Sequence, residues 1–163
     1  MEIAAPVRRV NHVVLKVRDL DRSVAFYCGY FGFTEAFARY GRAMAFLRAP
    51  GSNNNHDLAL LQAEADAPAR PDGALGLFHF ALEVDSPEHL AEVRQRFAAD
   101  GILDREFDHG ATKSVYGWDP DGNNVEVLWM LPRERWGEWA DRTPDRMPLD
   151  LDAEIRAAAD DRR

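Results

Sequence analysis

Two histidines and one glutamate stand out for what their side chains could do together. His12, in Asn11-His12-Val13-Val14-Leu15-Lys16-Val17, and His79, in Phe78-His79-Phe80-Ala81-Leu82-Glu83-Val84, hold the same place in two similar stretches 67 residues apart. The same offset carries Leu58-Ala59-Leu60-Leu61 onto Val125-Glu126-Val127-Leu128 without a gap, so Ala59 and Glu126 are equivalent positions. Of the four equivalent places, His12, Ala59, His79 and Glu126, three can ligate. Two imidazoles and one carboxylate suit a divalent transition metal such as iron, manganese, nickel or zinc, and three protein ligands leave positions open for substrate and dioxygen. A lone histidine on a strand is usually structural, and a glutamate between apolar neighbours usually marks a solvent face. The shared phase of the repeat is what favours the metal reading.

The elements that must position these residues repeat as well. Each histidine stretch reads as a short strand followed by a helix. The first helix opens at Asp19-Leu20-Asp21-Arg22-Ser23 and runs to Gly32. The second is capped by Ser86, has Pro87 in its first turn and stops at Gly101. Strand-like runs follow at about 34–40, 42–48 and 57–62, and again at about 103–108, 112–118 and 124–130. The chain is therefore expected to be α+β, with two tandem strand-helix-three-strand modules at about 9–62 and 77–131, linked by the Ala-, Pro-, Asp- and Gly-rich stretch 63–76. Residues 1–131 form the expected single domain and 132–163 a C-terminal extension. Side chains alternate across a strand. Val13, Leu15 and Val17 then pack on the helix of their own module, as do Phe80, Leu82 and Val84, while His12, His79 and Glu126 project from the opposite face. If Asp119–Asn123 is a five-residue hairpin loop, Trp118 opposes Asn124 and Tyr116 opposes Glu126, which gives Tyr116 the same face as the carboxylate. Despite its carboxylates, that loop is too short and wrongly spaced for a calcium site. Phe26, Tyr27, Tyr30 and Phe31 are read as packing of the first helix, and His89 has no assigned role.

Composition narrows the classes. With 163 residues, 46% of them hydrophobic, the chain can build one ordinary core. A net charge of −8 argues against a nucleic-acid binder. No apolar run has the roughly 18 residues of a membrane span, and the stretch from Met1 to Pro6 lacks the pattern of a signal peptide. A cytoplasmic protein is expected. Cys28 is the single cysteine, which leaves no thiolate-rich metal site.

Three segments resemble the vicinal-oxygen-chelate superfamily, which includes glyoxalases, bleomycin-resistance proteins and extradiol dioxygenases. They are Val10–Val17, Gly76–Val84 and Tyr116-Gly117-Trp118-Asp119-Pro120-Asp121-Gly122-Asn123-Asn124-Val125-Glu126-Val127, the last being the most specific. The resemblance spans about residues 9–131 and implies paired modules forming a metal-lined curved sheet. Glyoxalase I and methylmalonyl-CoA epimerase carry a fourth ligand, Glu or Gln, where this chain has Ala59. The pattern is most similar to single-domain catechol 2,3-dioxygenase-like proteins.

That branch implies an iron(II)-dependent extradiol dioxygenase with His12, His79 and Glu126 as metal ligands; manganese(II) accepts the same set. By the same resemblance, His56 is an acid/base residue, and His109 and Tyr116 hydrogen-bond the substrate oxygens. On their residue types alone, His56 also reads as a loop histidine after Gly51-Ser52-Asn53-Asn54-Asn55, His109 as a turn residue before Gly110, and Tyr116 as strand packing. The implied partners are a catecholic aromatic and dioxygen, with a homodimer as the implied assembly. A glyoxalase-type metal-dependent lyase or isomerase and a non-catalytic small-molecule binder are the alternatives. The tail, with Leu131-Pro132-Arg133-Glu134-Arg135-Trp136 and Met147-Pro148-Leu149-Asp150-Leu151-Asp152, also resembles that branch. Trp136 and Trp139 read equally as anchors and as parts of a loosely held extension, and 153–163 as a short charged helix or a frayed end.

Overall fold

The computed structural model describes residues 6–39, 43–71 and 73–161. The chain divides into two compact units that meet in sequence at Arg70 and Pro71. Each has the expected strand-helix-three-strand order, so the α+β class and the tandem repeat are both found.

In the first unit, β1 (Val13–Val17) is followed by α1 (Leu20–Phe31), β2 (Thr34–Glu35), β3 (Met44–Arg48) and β4 (Leu58–Gln62). The sheet order is β1-β4-β3-β2. Asp19 caps α1 by accepting from the Arg22 amide, and Gly32 ends it in the left-handed region at φ 70°. Alternation in β1 is clean: Leu15 and Val17 are buried while Val14 and Lys16 are exposed. Tyr27 is fully buried among Phe26, Phe31 and Phe33, which bears out the packing role of that aromatic run.

The strand expected over 34–40 is shorter than its sequence suggests. Pairing ends after Thr34–Glu35 and one further bond from the Ala36 amide to the Phe46 carbonyl. Beyond it the chain leaves the sheet, and the Arg39 guanidinium forks onto Glu35 at 2.7 and 2.9 Å and also meets Asp21. Residue 40 lies outside the described residues, as does the first residue of the run expected at 42–48.

The second unit repeats the plan with β5 (Phe80–Glu83), α2 (Pro87–Ala99), β6 (Leu103–Asp108), β7 (Thr112–Trp118) and β8 (Asn124–Met130), in sheet order β5-β8-β7-β6. Ser86 caps α2 as expected, with its hydroxyl accepting from the His89 amide. The helix lies on β7 and β8. Gly117 permits that approach, since a Cβ there would sit 2.5 Å from the Phe97 ring. The two units also share a register. Val14 pairs with Ala59 in the first as Ala81 pairs with Glu126 in the second, each the same 67 positions on. Ala59 is thus the structural counterpart of Glu126. Both histidines stand one residue ahead of their assigned strands rather than inside them.

The C-terminal extension packs within the second unit. Met147 forms a β-bridge with Asp108, with both backbone bonds at 2.9 Å. A third helix, α3 (Leu151–Asp161), lies against α2. Lys113, buried in β7, reaches Asp108 at 2.6 Å and Glu154 of α3 at 3.3 Å. Of the two readings of the extension, the docked one holds. Among the described residues no helix is long and apolar enough to cross a membrane.

Candidate active site

The second unit holds the more developed group of functional side chains, and the β7–β8 hairpin positions it. Asp119, buried at the loop, accepts from the amides of Asp121 and Asn123 at 2.9 and 2.8 Å. Its other oxygen accepts from the Asn123 side chain at 2.9 Å. This carboxylate locks the five-residue loop, and the loop fixes the register. Trp118 pairs with Asn124 and Tyr116 with Glu126, as expected from the sequence.

Glu126 is buried at 8% exposure, so its charge requires partners. One oxygen, Oε1, accepts the Tyr116 hydroxyl proton at 2.8 Å. The other, Oε2, lies 2.9 Å from His79 Nε2. Two ligand atoms on adjacent corners of an octahedral ion, each about 2.1 Å from it, lie about 3 Å apart. The His79–Glu126 pair therefore has ligand types and a separation that suit one divalent ion. His79 Nδ1 is buried and has no hydrogen-bond partner among the described residues.

Tyr116 connects Glu126 to the next histidine, since His109 Nε2 lies 2.9 Å from its hydroxyl oxygen. Burial, and then the bond to Glu126, hold the Tyr116 phenol well above the ordinary tyrosine pKa. His109 Nδ1 meets the backbone carbonyl of Asp145. A carbonyl only accepts, so Nδ1 carries a proton. Tyr116 has one proton to give. While it points at Glu126, the hydroxyl oxygen is left to accept from His109 Nε2. An unprotonated Nε2 can accept the hydroxyl only if it turns away from Glu126. The Tyr116 hydroxyl proton thus has two possible acceptors, Glu126 Oε1 and the unprotonated His109 Nε2.

Arg105 completes this group and has no signature in the sequence. A β-bulge between Leu103 and Arg105 shifts the pairing so that Arg105 opposes Tyr116. Its guanidinium lies over the Tyr116 ring at 4.5 Å and over Phe78 at 5.5 Å, and it donates to Asn124 Oδ1 at 3.1 Å.

In the first unit His12 and His56 come together, with ring centroids 4.5 Å apart. Each has the same arrangement at its back. His12 Nδ1 lies 2.9 Å from Asn11 Oδ1, and His56 Nδ1 lies 2.9 Å from Asn55 Oδ1. An amide oxygen accepts, so Nδ1 of each donates and Nε2 keeps its lone pair, available to a metal or a proton. Asn54 ties the loop to the start of β1, donating to the carbonyls of Asn11 at 2.9 Å and His56 at 2.8 Å. Burial first, and then the neighbouring His12, hold the His56 pKa below the ordinary histidine value. Phe46 stacks edge-on against His56 at 5.0 Å.

The structure thus brings His79, Glu126, Tyr116 and His109 into one chain of contacts, and His12 to His56. Among the described residues no three His, Cys, Asp or Glu side chains gather at one point. The residues that sequence reasoning missed are Arg105, Asn11, Asn54 and Asn55, together with the Asp145 carbonyl. Of these only the asparagines carry a signal, each lying next to or near a candidate histidine.

Residues 9–127 match the Glyoxalase/Bleomycin resistance protein/Dioxygenase superfamily. The chain is similar to catechol-2,3-dioxygenase of Bacillus subtilis (strain 168), 29% identical over 94% of this chain and 53% of that protein. It is 31% identical to biphenyl-2,3-diol 1,2-dioxygenase 2 of Rhodococcus globerulus, over 71% of this chain and 60% of that protein. It therefore spans little more than half the length of these two relatives. The solved structure of lactoylglutathione lyase from Agrobacterium tumefaciens is also similar, with a TM-score of 0.55 at 28% identity over 77% of this chain and 96% of that one.

Proposed function

This chain belongs to the Glyoxalase/Bleomycin resistance protein/Dioxygenase superfamily, and from that premise we propose that it is an iron(II)-dependent extradiol dioxygenase that opens the ring of a catecholic aromatic. The proposed ligands are His12, His79 and Glu126, with manganese(II) accepting the same donors. Bound iron(II) would supply Lewis acidity toward both catechol oxygens and the one-electron chemistry that lets dioxygen react with an aromatic ring.

The observation that carries this reading is the contact chain from His79 through Glu126 and Tyr116 to His109. A proposed metal ligand has a proton-holding tyrosine–histidine pair directly behind it. Ring cleavage requires protons to be moved at the substrate oxygens, and this pair supplies groups that can hold and give them. His56, with Nδ1 engaged by Asn55, offers Nε2 as the base that takes a catechol proton. Tyr116 Oη and His109 Nε2 hold the proton returned to the developing product. Arg105 places positive charge over the Tyr116 ring, which favours negative charge developing on its oxygen beside the buried carboxylate. Ala59 supports the dioxygenase over the lyase or isomerase. It occupies the register position of Glu126 in the first unit and cannot supply a fourth ligand.

The test is to load anaerobically purified protein with iron(II), add 2,3-dihydroxybiphenyl and simple catechols, and record oxygen uptake together with the yellow ring-opened product. Uptake and colour that vanish in His12→Ala and Glu126→Ala are the expected result. Tight metal binding with no uptake across the panel would reject the dioxygenase and favour the lyase or the binder.

A further inference from the structure

Four contacts hold the C-terminal extension against the turn that carries His109. The Met147 amide donates to the Asp108 carbonyl, and the Asp108 amide to the Met147 carbonyl, both at 2.9 Å. Trp139 fills the space above Gly110, where any Cβ would collide with its ring, and Gly110 holds a positive φ of 87°. Lys113 ties the turn from below, donating to Asp108 Oδ1 at 2.6 Å and to the Gly110 carbonyl at 3.2 Å, and pairing with Glu154 of α3 at 3.3 Å. The fourth contact points into the site: the Asp145 carbonyl accepts from His109 Nδ1.

These contacts have one chemical consequence. A neutral histidine has one ring proton, and the group facing either nitrogen decides where it sits. A carbonyl held at Nδ1 demands the proton there and leaves Nε2 with its lone pair, 2.9 Å from the Tyr116 hydroxyl oxygen and able to accept when the hydroxyl turns from Glu126. Without that carbonyl the ring can also carry its proton on Nε2. That form cannot accept from Tyr116.

We propose that residues 139–147 of the extension are a positioning element of the active site, in which the Asp145 backbone carbonyl fixes His109 in its Nδ1-protonated tautomer and presents Nε2 to Tyr116. The tail is then part of the acid–base apparatus. The proposal rests on the reading of His109 and Tyr116 as that apparatus, but the tautomer exists whether or not the chain cleaves catechols.

The test is accordingly made without substrate. Long-range proton–nitrogen NMR of nitrogen-15-histidine-labelled full-length protein reads which ring nitrogen of His109 is protonated, at a pH where the ring holds one proton; His109→Gln assigns the signal. The expected result is a protonated Nδ1 in the native chain. Two variants then loosen the tail from opposite ends. Met147→Pro removes the amide that donates to Asp108, and Trp139→Ala empties the seat above Gly110. In whichever variant keeps the native circular dichroism, His109 should shift toward the Nε2-protonated form. A native His109 protonated at Nε2 overturns the proposal, and so does a tautomer unmoved in a folded variant whose tail is shown by the Asp108 amide signal to have come away. Failure of the dioxygenase reading would instead appear as absent oxygen uptake with the native tautomer intact.

Discussion

Tyr116 lies directly across the β7–β8 hairpin from Glu126, and its hydroxyl donates to the carboxylate at 2.8 Å while accepting the approach of His109 on its other side. One oxygen atom thus serves a buried anion and a histidine together. Tyr116→Phe keeps the ring beneath Arg105 and deletes only that oxygen. It leaves Glu126 Oε1 and His109 Nε2 without their shared partner. The expected cost is about 1–3 kcal/mol of stability, from the unmet buried groups. On the proposed function kcat falls about 100-fold or more, with KM little changed, because a group acting in the transition state has gone. Thermal melting and oxygen-uptake kinetics on the same preparation check both parts.

The same phenol makes a prediction about alkaline stability. Its folded-state pKa is raised, by burial first and by Glu126 second. A group raised in the folded state contributes stability that is fully present below its unfolded value, about 10 for tyrosine, and is lost as pH rises through that value toward the folded one. Between about pH 10 and the folded value, the unfolded chain ionises at this residue and the native chain does not. Native protein should therefore lose stability above about pH 10 more steeply than Tyr116→Phe does. Denaturant titrations from pH 8 to 11 measure the two slopes; parallel slopes would show that Tyr116 titrates alike in both states.

Much of this site could be read in the sequence because loop length and repeat phase constrain geometry strongly. The facing of Tyr116 and Glu126 follows from five loop residues and strict alternation. The equivalence of Ala59 and Glu126 follows from the ungapped offset, which the matching registers of the two sheets reproduce. Arg105 was not legible. Only a β-bulge aims it at Tyr116, and a one-residue slip leaves no mark in residue types. The Asp145 carbonyl was hidden for a different reason, since a backbone acceptor belongs to every residue and its role depends on where the tail docks. Trp139 could be recognised as an anchor, but not its seat on Gly110. The strand expected over 34–40 pairs only at Thr34–Glu35, and beyond it Arg39 turns back onto Glu35 and Asp21, a pairing that residue types do not announce.

His56 supplies a prediction on the acid side. Burial is the larger cause of its lowered pKa, His12 the second, and Asp57 opposes both. The folded state therefore favours the neutral ring. This contribution to stability is present above the unfolded histidine value, about 6.5, and is lost as pH falls through it toward the folded value. In proton NMR of the metal-free chain, His56 should titrate below that value. His12→Gln should move the midpoint part of the way back up, because it removes the like charge and leaves the burial. A full return to the ordinary value would mean that charge, not burial, dominates.

The paired asparagines separate the proposed ligand from the proposed base. Asn11 and Asn55 make the same 2.9 Å contact with the Nδ1 of His12 and His56, so each fixes its ring with Nε2 unprotonated. If His12 binds metal and His56 does not, the two contacts should fail differently. Loss of an outer partner of a ligating histidine typically costs 10–100-fold in metal affinity. Asn11→Ala should therefore weaken manganese(II) binding by about that factor in calorimetry. Asn55→Ala should leave metal affinity within about two-fold and lower turnover instead, since it disturbs only the ring that moves the proton. Both side chains stand at the protein surface, so neither substitution removes core packing. Equal losses of metal affinity in the two variants would mean that both histidines face the metal, and the division of labour between His12 and His56 would have to be redrawn.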